Sequence, residues 1–505
     1  MSSFTAIPLG RPIPDSPHAV SCSLPTMRAV RGYEEKDPSI TRHLTSGYPR
    51  FVVHPFALEL AAHLAAARGL AGCKLWLTSS EGMAGALARH LTRADPEGKA
   101  GVTVFADGGV FGAAHADKPE TNGRARLFLQ HIGGFISSRE AEDQLVRRGL
   151  RPAAHAERLF GDGAAAEVRR HLRKVVPGAG DADILLAASG MNAVYAAFRA
   201  VAEVQAARGR TLWLQLGWLY LDTIAILKKF TAAPTDYLHA PDVFDRAALE
   251  RLFAEHGSRI AGVVTEIPTN PLIQTPDVAA LAALCRRHGA RLLLDPSVAS
   301  IYSVDILGHA DVLVDSLTKY TASEGDVIAG LAVINPAGPD ASELRRRIAA
   351  HLEPLYERDL RRLAAQIGQT EEVLARIQAN APRVAAFLSS HPRVKDVFWA
   401  LHPASRAEFG RIARGPGAVG GMISFTLRER MESFYDRLTL AKGPSFGMKT
   451  TLICPFMYLA HYDLVSTPAG RAELEKNGLD PDLLRLCVGT EPADEIIAAL
   501  AEALG

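Results

Sequence analysis

One amine, one carboxylate and a set of hydroxyls stand at the ends of short apolar runs in this chain. "DVLVDSL" leads through Ser316 and Thr318 to Lys319, and "ARLLLDPS" closes on Asp295. "TLWLQLGWLY" leads to Tyr220, and "VVTEIPTNP" leads to Thr269 and Asn270. "ILLAASG" runs into Ser189, Gly190 and Met191, just ahead of the helical stretch "NAVYAAFRAV". Together these residue types suit pyridoxal phosphate. A lysine supplies a Schiff base, and a buried aspartate keeps the pyridine nitrogen protonated so that the ring can absorb carbanion charge. An aromatic face can stack on the ring. A helix N-terminus with nearby hydroxyls can hold the phosphate, and Gly190 lets the backbone come close. Taken singly, each has a plainer reading: a turn aspartate, an exposed lysine, a core tyrosine, a serine helix cap. Only the ordered set carries the chemistry.

Such residues need a scaffold that brings strand ends together. From residue 184 onward, helical stretches alternate with the runs "ILLAASG", "TLWLQLG", "IAGVVTEIP", "ARLLLDPS", "DVLVDSL" and "VIAGLAVI". Alternation of this kind predicts an α/β domain with a mostly parallel sheet. Its strands are apolar on both faces because helices cover both sides, and ligands gather at their carboxyl ends. Residues 1–50 are loop-rich and proline-rich. Residues 51–180 mix helical patterns ("FALELAAHLAAARGL", "REAEDQLVRRGL") with short apolar runs ("CKLWLTS", "GVTVFAD"). Beyond about residue 340 come long helices, then "GGMISFTL" and "LLRLCVGT", which read as strands of a smaller C-terminal α+β domain. "GDGAAAEVRRHL" at Gly161 fits a dinucleotide fingerprint, but the preceding "AAHAERLF" reads as helix, so the required strand is missing.

Composition narrows the class. The chain has 505 residues, 48% of them apolar, and a formal net charge of +1, so nothing draws it toward nucleic acid or a membrane surface. No run is long enough to span a bilayer, and the N-terminus lacks the pattern of a signal peptide. The five cysteines (Cys22, Cys73, Cys285, Cys454, Cys487) are scattered, with no C-x-x-C pair. That pattern points to a reducing, cytoplasmic setting and to no metal site.

In this order the motifs resemble the Cys/Met-metabolism family of pyridoxal-phosphate enzymes, of fold type I. The resemblance runs from "SGMNAVYAAF" through "YLDT", "TEIPTNPLIQTPDVAALAALCRRHGARLLLD" and "ADVLVDSLTKYTASEGDVIAG" to "LRLCVGTEPADEI". "PHAVSCSLPT", "GYEE", "GYPRFVVHP", "QHIGGFISSREAE", "LAKGPSFG" and "YLAHYDL" are similar to the long, fungal-type cystathionine γ-synthases, with 51–180 as the long form's insertion. It implies a seven-stranded, mostly parallel mixed sheet in a large domain at 181–340 and a small domain at 341–505. It further implies an arm at 1–50 that reaches a neighbouring active site.

By matched motif, Lys319 is the lysine that carries the cofactor and then moves protons between carbons. Asp295 pairs with the ring nitrogen. Tyr220 stacks on the ring and assists proton transfer near the γ-leaving group. Ser316, Thr318 and the N–H groups of Gly190 and Met191 bind phosphate. Tyr48 and Arg50 reach the phosphate of a second subunit, which implies a homodimer or homotetramer with shared sites. Arg485 grips the substrate carboxylate, aided by Ser445 and Asn270.

Two departures stand out. "DPSVAS" replaces the short family's D-N-T-F, and "SFGMKTT" places Lys449 and Thr450 where the family has other residues, with an altered acceptor pocket as the expectation. The implied reaction is γ-replacement on an activated homoserine through a vinylglycine-type electrophile, with cysteine as nucleophile. Alternatives are a carbon or other nucleophile, with S-adenosylmethionine as a possible donor, and γ- or β-elimination. A non-catalytic relative is disfavoured by the intact Lys, Asp, Tyr and Arg set.

Overall fold

The computed structural model describes residues 4–49, 52–95 and 97–505. Its centre is a seven-stranded sheet in the order Ile184–Ala187, Gly330–Ile334, Val312–Asp315, Arg291–Asp295, Ile260–Glu266, Leu212–Leu216, Tyr237–Ala240. Every pairing is parallel except those of Gly330–Ile334, which runs antiparallel to both neighbours. All seven residues of Ile260–Glu266 are buried, as a strand covered on both faces requires. Helix Gly190–Ala206 packs on one face of this sheet, its alanines allowing close approach. Six of the seven strands are the apolar runs of the sequence. The seventh, Tyr237–Ala240, is a half-exposed edge with no apolar run to betray it.

Residues 341–505 carry the helices Ala341–His351, Glu357–Ile367 and Thr370–Ser390 ahead of a five-stranded sheet. That sheet orders Val394–Trp399, Met422–Leu427, Leu484–Cys487, Leu452–Pro455 and Ala441–Lys442. The N-terminal segment lies along this domain of its own chain. Leu24 N–H donates to the Lys442 carbonyl at 2.9 Å, and Met27 N–H donates to Asp436 Oδ1 at 2.8 Å.

Between them sits a separate layered module. Its antiparallel sheet orders Cys73–Thr78, Val110–Ala116 and Thr103–Asp107. Strand alternation sends Leu75 and Leu77 toward helices Pro55–Ala67 and Ser138–Arg147, and Trp76 toward helices Glu81–Arg93 and Pro119–Ile132. Arg139 anchors the module. Its buried guanidinium pairs with Glu157 at 2.7 Å and Asp359 at 2.9 Å and donates to the Asp326 carbonyl at 2.7 Å.

The "AAHAERLF" stretch is not the helix its composition suggested. It is an irregular strap, because its polar groups are engaged by helix Glu357–Ile367: Glu157 pairs with Arg358, and Phe160 N–H bonds the Arg361 carbonyl. No strand precedes Gly161, and the dinucleotide reading stays excluded.

Candidate active site

The carboxyl ends of the central strands open into a cavity of about 210 Å³. Lys319, Asp295, Tyr220, Gly190, Met191, Ser316, Thr318, Tyr48, Ser445, Asn270 and Arg485 all line it. The residues expected to act together are therefore brought together, with one exception: Arg50 lies outside the described residues.

Lys319 follows the strand Val312–Asp315, and its amine is buried. Nζ donates to Ser445 Oγ at 3.0 Å and to the Tyr48 hydroxyl, and it lies 4.7 Å from the centre of the Phe446 ring. Burial, reinforced by the charge of Arg485, holds its pKa well below that of an ordinary lysine. A neutral amine is what nucleophilic attack on an aldehyde requires.

Asp295 ends the adjacent strand. Burial raises its carboxyl to about 6, against the opposing effect of the Ser297 hydrogen bonds and the Lys319 charge. In this sequence "DPSVAS" gives Ser297 a linking role. Its N–H donates to Asp295 Oδ1 at 2.8 Å, and its Oγ accepts from Ser316 N–H at 2.8 Å.

Sequence reasoning missed two further carboxyls. Glu266 stands beside Asp295 in register on the neighbouring strand, and Asp315 ends the strand on the other side. Both are buried and raised well above their ordinary range, first by burial and then by the charge of Asp295. Glu266 Oε1 accepts the Tyr220 N–H at 2.5 Å, which fixes the start of helix Leu221–Phe230. The signal was an acid closing an otherwise apolar buried strand.

Arg485 lies on Leu484–Cys487 of the small domain. Its guanidinium donates to Asn270 Oδ1 at 3.1 Å and to the Ser445 carbonyl at 3.3 Å. Among the described residues no carboxylate pairs with it, so its fork remains suited to an incoming one. Ser445 holds this corner at φ 90°, a left-handed conformation costly for a non-glycine residue and characteristic of functional sites.

The opposite corner is an anion cradle. Ser189 caps helix Gly190–Ala206, and a side chain at position 190 would put its Cβ 3.0 Å from that of Ser316. Burial pushes the Tyr48 hydroxyl well above the ordinary tyrosine range, against the opposing effect of the neighbouring Ser445, Thr318 and Ser316 side chains. Thr318 Oγ1 is engaged by the Ala329 backbone, donating to its carbonyl at 3.2 Å and accepting its N–H at 3.0 Å. Within the single chain Tyr48 lines the cavity and its hydroxyl accepts from the Lys319 amine, while residues 24–27 of the same N-terminal segment pack on the small domain. Lys449 does not line the cavity; it turns to Glu324 at 3.4 Å and Gln369 at 3.0 Å.

A buried neutral amine, a carboxyl at an adjacent strand end, a helix N-terminus with hydroxyls and an unpaired arginine form a donor set that fits pyridoxal phosphate and an amino-acid carboxylate. Comparison with known proteins agrees. Residues 167–505 match the model of the Cys/Met metabolism PLP-dependent enzymes. The chain is 41% identical, over 98% of its length and 97% of the relative's, to an L-2-amino-4-chloropent-4-enoate dechlorinase/desaturase of Streptantibioticus cattleyicolor. It is 26% identical, over 98% of both chains, to a cystathionine γ-synthase of Neurospora crassa. Among solved structures it is similar to a cystathionine γ-lyase from Lactobacillus plantarum complexed with L-serine (TM-score 0.57, 24% identity, covering 68% of this chain and 86% of that one), a likeness of fold. Among the described residues no helix is long and apolar enough to cross a membrane. Motifs, fold, cavity and relatives thus place this chain in the Cys/Met-metabolism family of pyridoxal-phosphate-dependent enzymes, in the long form it shares with fungal cystathionine γ-synthases.

Proposed function

We propose that this enzyme expels a leaving group from Cγ of an α-amino acid, and that the favoured reaction is elimination of chloride from a 2-amino-4-chloropent-4-enoate-type substrate. Loss of the chloride together with one proton leaves an alkynyl or allenyl amino acid and HCl. The full-length 41% identity to a dechlorinase/desaturase, against 26% for a cystathionine γ-synthase, favours this over γ-replacement. The observation that carries Cγ chemistry as such is the buried Lys319 amine between Tyr48 and Ser445, sharing one cavity with Asp295 and Arg485.

Each residue then has a defined task. Pyridoxal phosphate, when bound, supplies an electron sink that acidifies the substrate's C–H bonds. Of the residues lining the cavity, Asp295 would pair with the ring nitrogen, Tyr220 would stack on the ring, and Gly190, Met191 and Ser316 would hold the phosphate, with the Tyr48 hydroxyl nearby. Arg485 receives the α-carboxylate as a two-pronged ion pair, with Asn270 and Ser445 fixing the guanidinium plane. Lys319 takes the Cα proton and, as the one mobile base so placed, returns protons further along the substrate. Chloride departs as a weakly basic anion and needs no general acid. Apolar side chains such as Leu129 and Phe135 line the cavity and help exclude water.

The second reading is the thiol replacement suggested by the motifs, with an O-activated homoserine as donor. Purified holoenzyme given the chloroalkenyl amino acid should release chloride and one unsaturated amino acid at a rate independent of added cysteine. Chloride release that requires cysteine, or cystathionine from O-acylhomoserine without any dechlorination, overturns elimination. Residues 1–50, 51–180, 181–340 and 341–505 serve as the working division into arm, insertion, large and small domains.

A further inference from the structure

Besides lining the cavity with Leu129 and Phe135, the three-stranded module is bolted to the helix whose first residues face that cavity. Gly133 ends helix Pro119–Ile132 at φ 66°, and a Cβ there would meet Ser189 Oγ at 2.0 Å and Asn192 N at 2.8 Å. Ser189 Oγ accepts the Asn192 N–H at 3.1 Å and donates to the Gly133 carbonyl at 3.5 Å. The fully buried Asn192 side chain uses both ends of its amide. Nδ2 donates to the Ile132 carbonyl at 3.4 Å, and Oδ1 accepts the Glu353 N–H at 2.7 Å. Glu353 completes the ring: its carboxylate accepts from Ser79 Oγ at 2.7 Å, and its carbonyl accepts the Ala188 N–H at 3.0 Å. The Ser79 N–H in turn donates to the Gly134 carbonyl at 3.0 Å.

Four segments distant in sequence (79, 132–134, 188–192 and 353) thus close one hydrogen-bonded ring around the start of helix Gly190–Ala206. A residue in the first turn of a helix needs no side-chain amide for the helix's own sake, since one capping group already serves the Asn192 N–H. The amide is spent on the module and on Glu353. What remains at the helix start are the N–H groups of Gly190 and Met191, both lining the cavity.

We propose that Asn192, with Gly133 and Glu353, is a positioning residue for the cofactor phosphate: through this ring the module sets the angle and depth at which the Gly190 and Met191 N–H groups meet it. The inference rests on assigning the phosphate to this helix end. Charge-assisted hydrogen bonds are steep in geometry, so a small rotation of the helix start loosens phosphate more than it loosens anything held at Asp295 or Lys319.

The test measures dissociation constants of pyridoxal phosphate and of pyridoxal, which lacks the phosphate, for full-length apoprotein, with apoprotein melting temperatures alongside. Asn192→Ala should weaken pyridoxal phosphate binding about tenfold and leave pyridoxal binding unchanged. Asn192→Asp, which keeps the acceptor for Glu353 and loses the donor to Ile132, should fall between. Ser79→Ala removes the outer hydroxyl, which donates to Glu353 at 2.7 Å and reaches the Gly134 carbonyl at 3.3 Å; it should weaken pyridoxal phosphate about twofold to threefold with the melting temperature unchanged, and decides the matter if Asn192→Ala does not fold. Equal weakening of both ligands, or no weakening of pyridoxal phosphate, overturns the positioning role. Ser316→Ala separates the two claims. If it too leaves pyridoxal phosphate binding intact, the phosphate assignment fails; if it weakens binding while the ring variants do not, the ring alone fails.

Discussion

The Tyr48 hydroxyl and the Lys319 amine of the same chain are hydrogen-bonded partners. We predict that Tyr48 serves the cavity of its own chain in the assembled enzyme as it does within the single chain. Mixing Tyr48→Ala with Lys319→Ala subunits under conditions of subunit exchange should therefore restore no activity. A site that borrowed Tyr48 from a neighbour would regain up to a quarter of wild-type activity in mixed dimers, since one of the two sites would be intact in each hybrid and half the dimers would be hybrids. The assay is turnover after mixing, against each variant alone.

Lys319→Ala should abolish covalent capture of the cofactor. Borohydride reduction of the wild-type holoenzyme followed by peptide mass analysis should find the pyridoxyl group on Lys319, and the variant should carry none. Because the amine's pKa is depressed by burial and by Arg485, capture should remain efficient well below the pH at which an exposed lysine stops reacting.

Asp295 yields a pH-dependent stability of definite sign. An unfolded aspartate ionises near about 3.9, whereas burial holds Asp295 at about 6 in the folded apoprotein. Between those values the folded chain binds a proton that the unfolded chain has released, so stability falls as pH rises, by at most about 3 kcal/mol once pH exceeds the folded value. Asp295→Asn removes the penalty. Calorimetry of the apoprotein should show the variant more stable than wild type at neutral pH and level with it below the unfolded value. Turnover should fall by orders of magnitude, because the ring nitrogen loses its anionic partner.

Arg485→Lys should not rescue Arg485→Ala. The two prongs to Asn270 and Ser445 fix a plane that an ammonium cannot reproduce. Loss of the carboxylate fork should lower kcat/KM about a hundredfold in both variants, chiefly through KM, as measured by initial rates.

Arg139→Ala should be among the most destabilising changes in the molecule. It leaves Glu157 and Asp359 without their shared buried cation and the Asp326 carbonyl without its donor, a loss of about 3–5 kcal/mol for a broken buried pair. Urea unfolding should report it, with activity at low denaturant retained.

Much of this was legible in the chain. Runs such as "LLLD" and "VLVD" are apolar on both faces, and a reactive residue at the end of such a run falls at a sheet's carboxyl edge, so Asp295 and Lys319 could be placed before any coordinates. Tyr237–Ala240 escaped because a four-residue edge strand with three half-exposed residues has neither alternation nor an apolar run. Glu266 and Asp315 are, like Asp295, acids closing an apolar buried strand, and that shared anomaly marks all three. Lys449 looked like an acceptor-site residue by position, yet Glu324 and Gln369 draw it away. That is a tertiary choice no local pattern encodes. The ring through Gly133, Asn192 and Glu353 joins segments that no spacing rule connects.

The cavity walls also fix when the enzyme can come to life. Lys319 is held by Tyr48 from near the start of the chain and by Ser445 from near its end, and Arg485 closes the same corner. Every residue from Tyr48 to Arg485 must have left the ribosome before these groups can meet. A product terminated before the strand Leu484–Cys487 is born without the arginine wall of the pocket, and vitamin loading in the finished geometry waits for that strand.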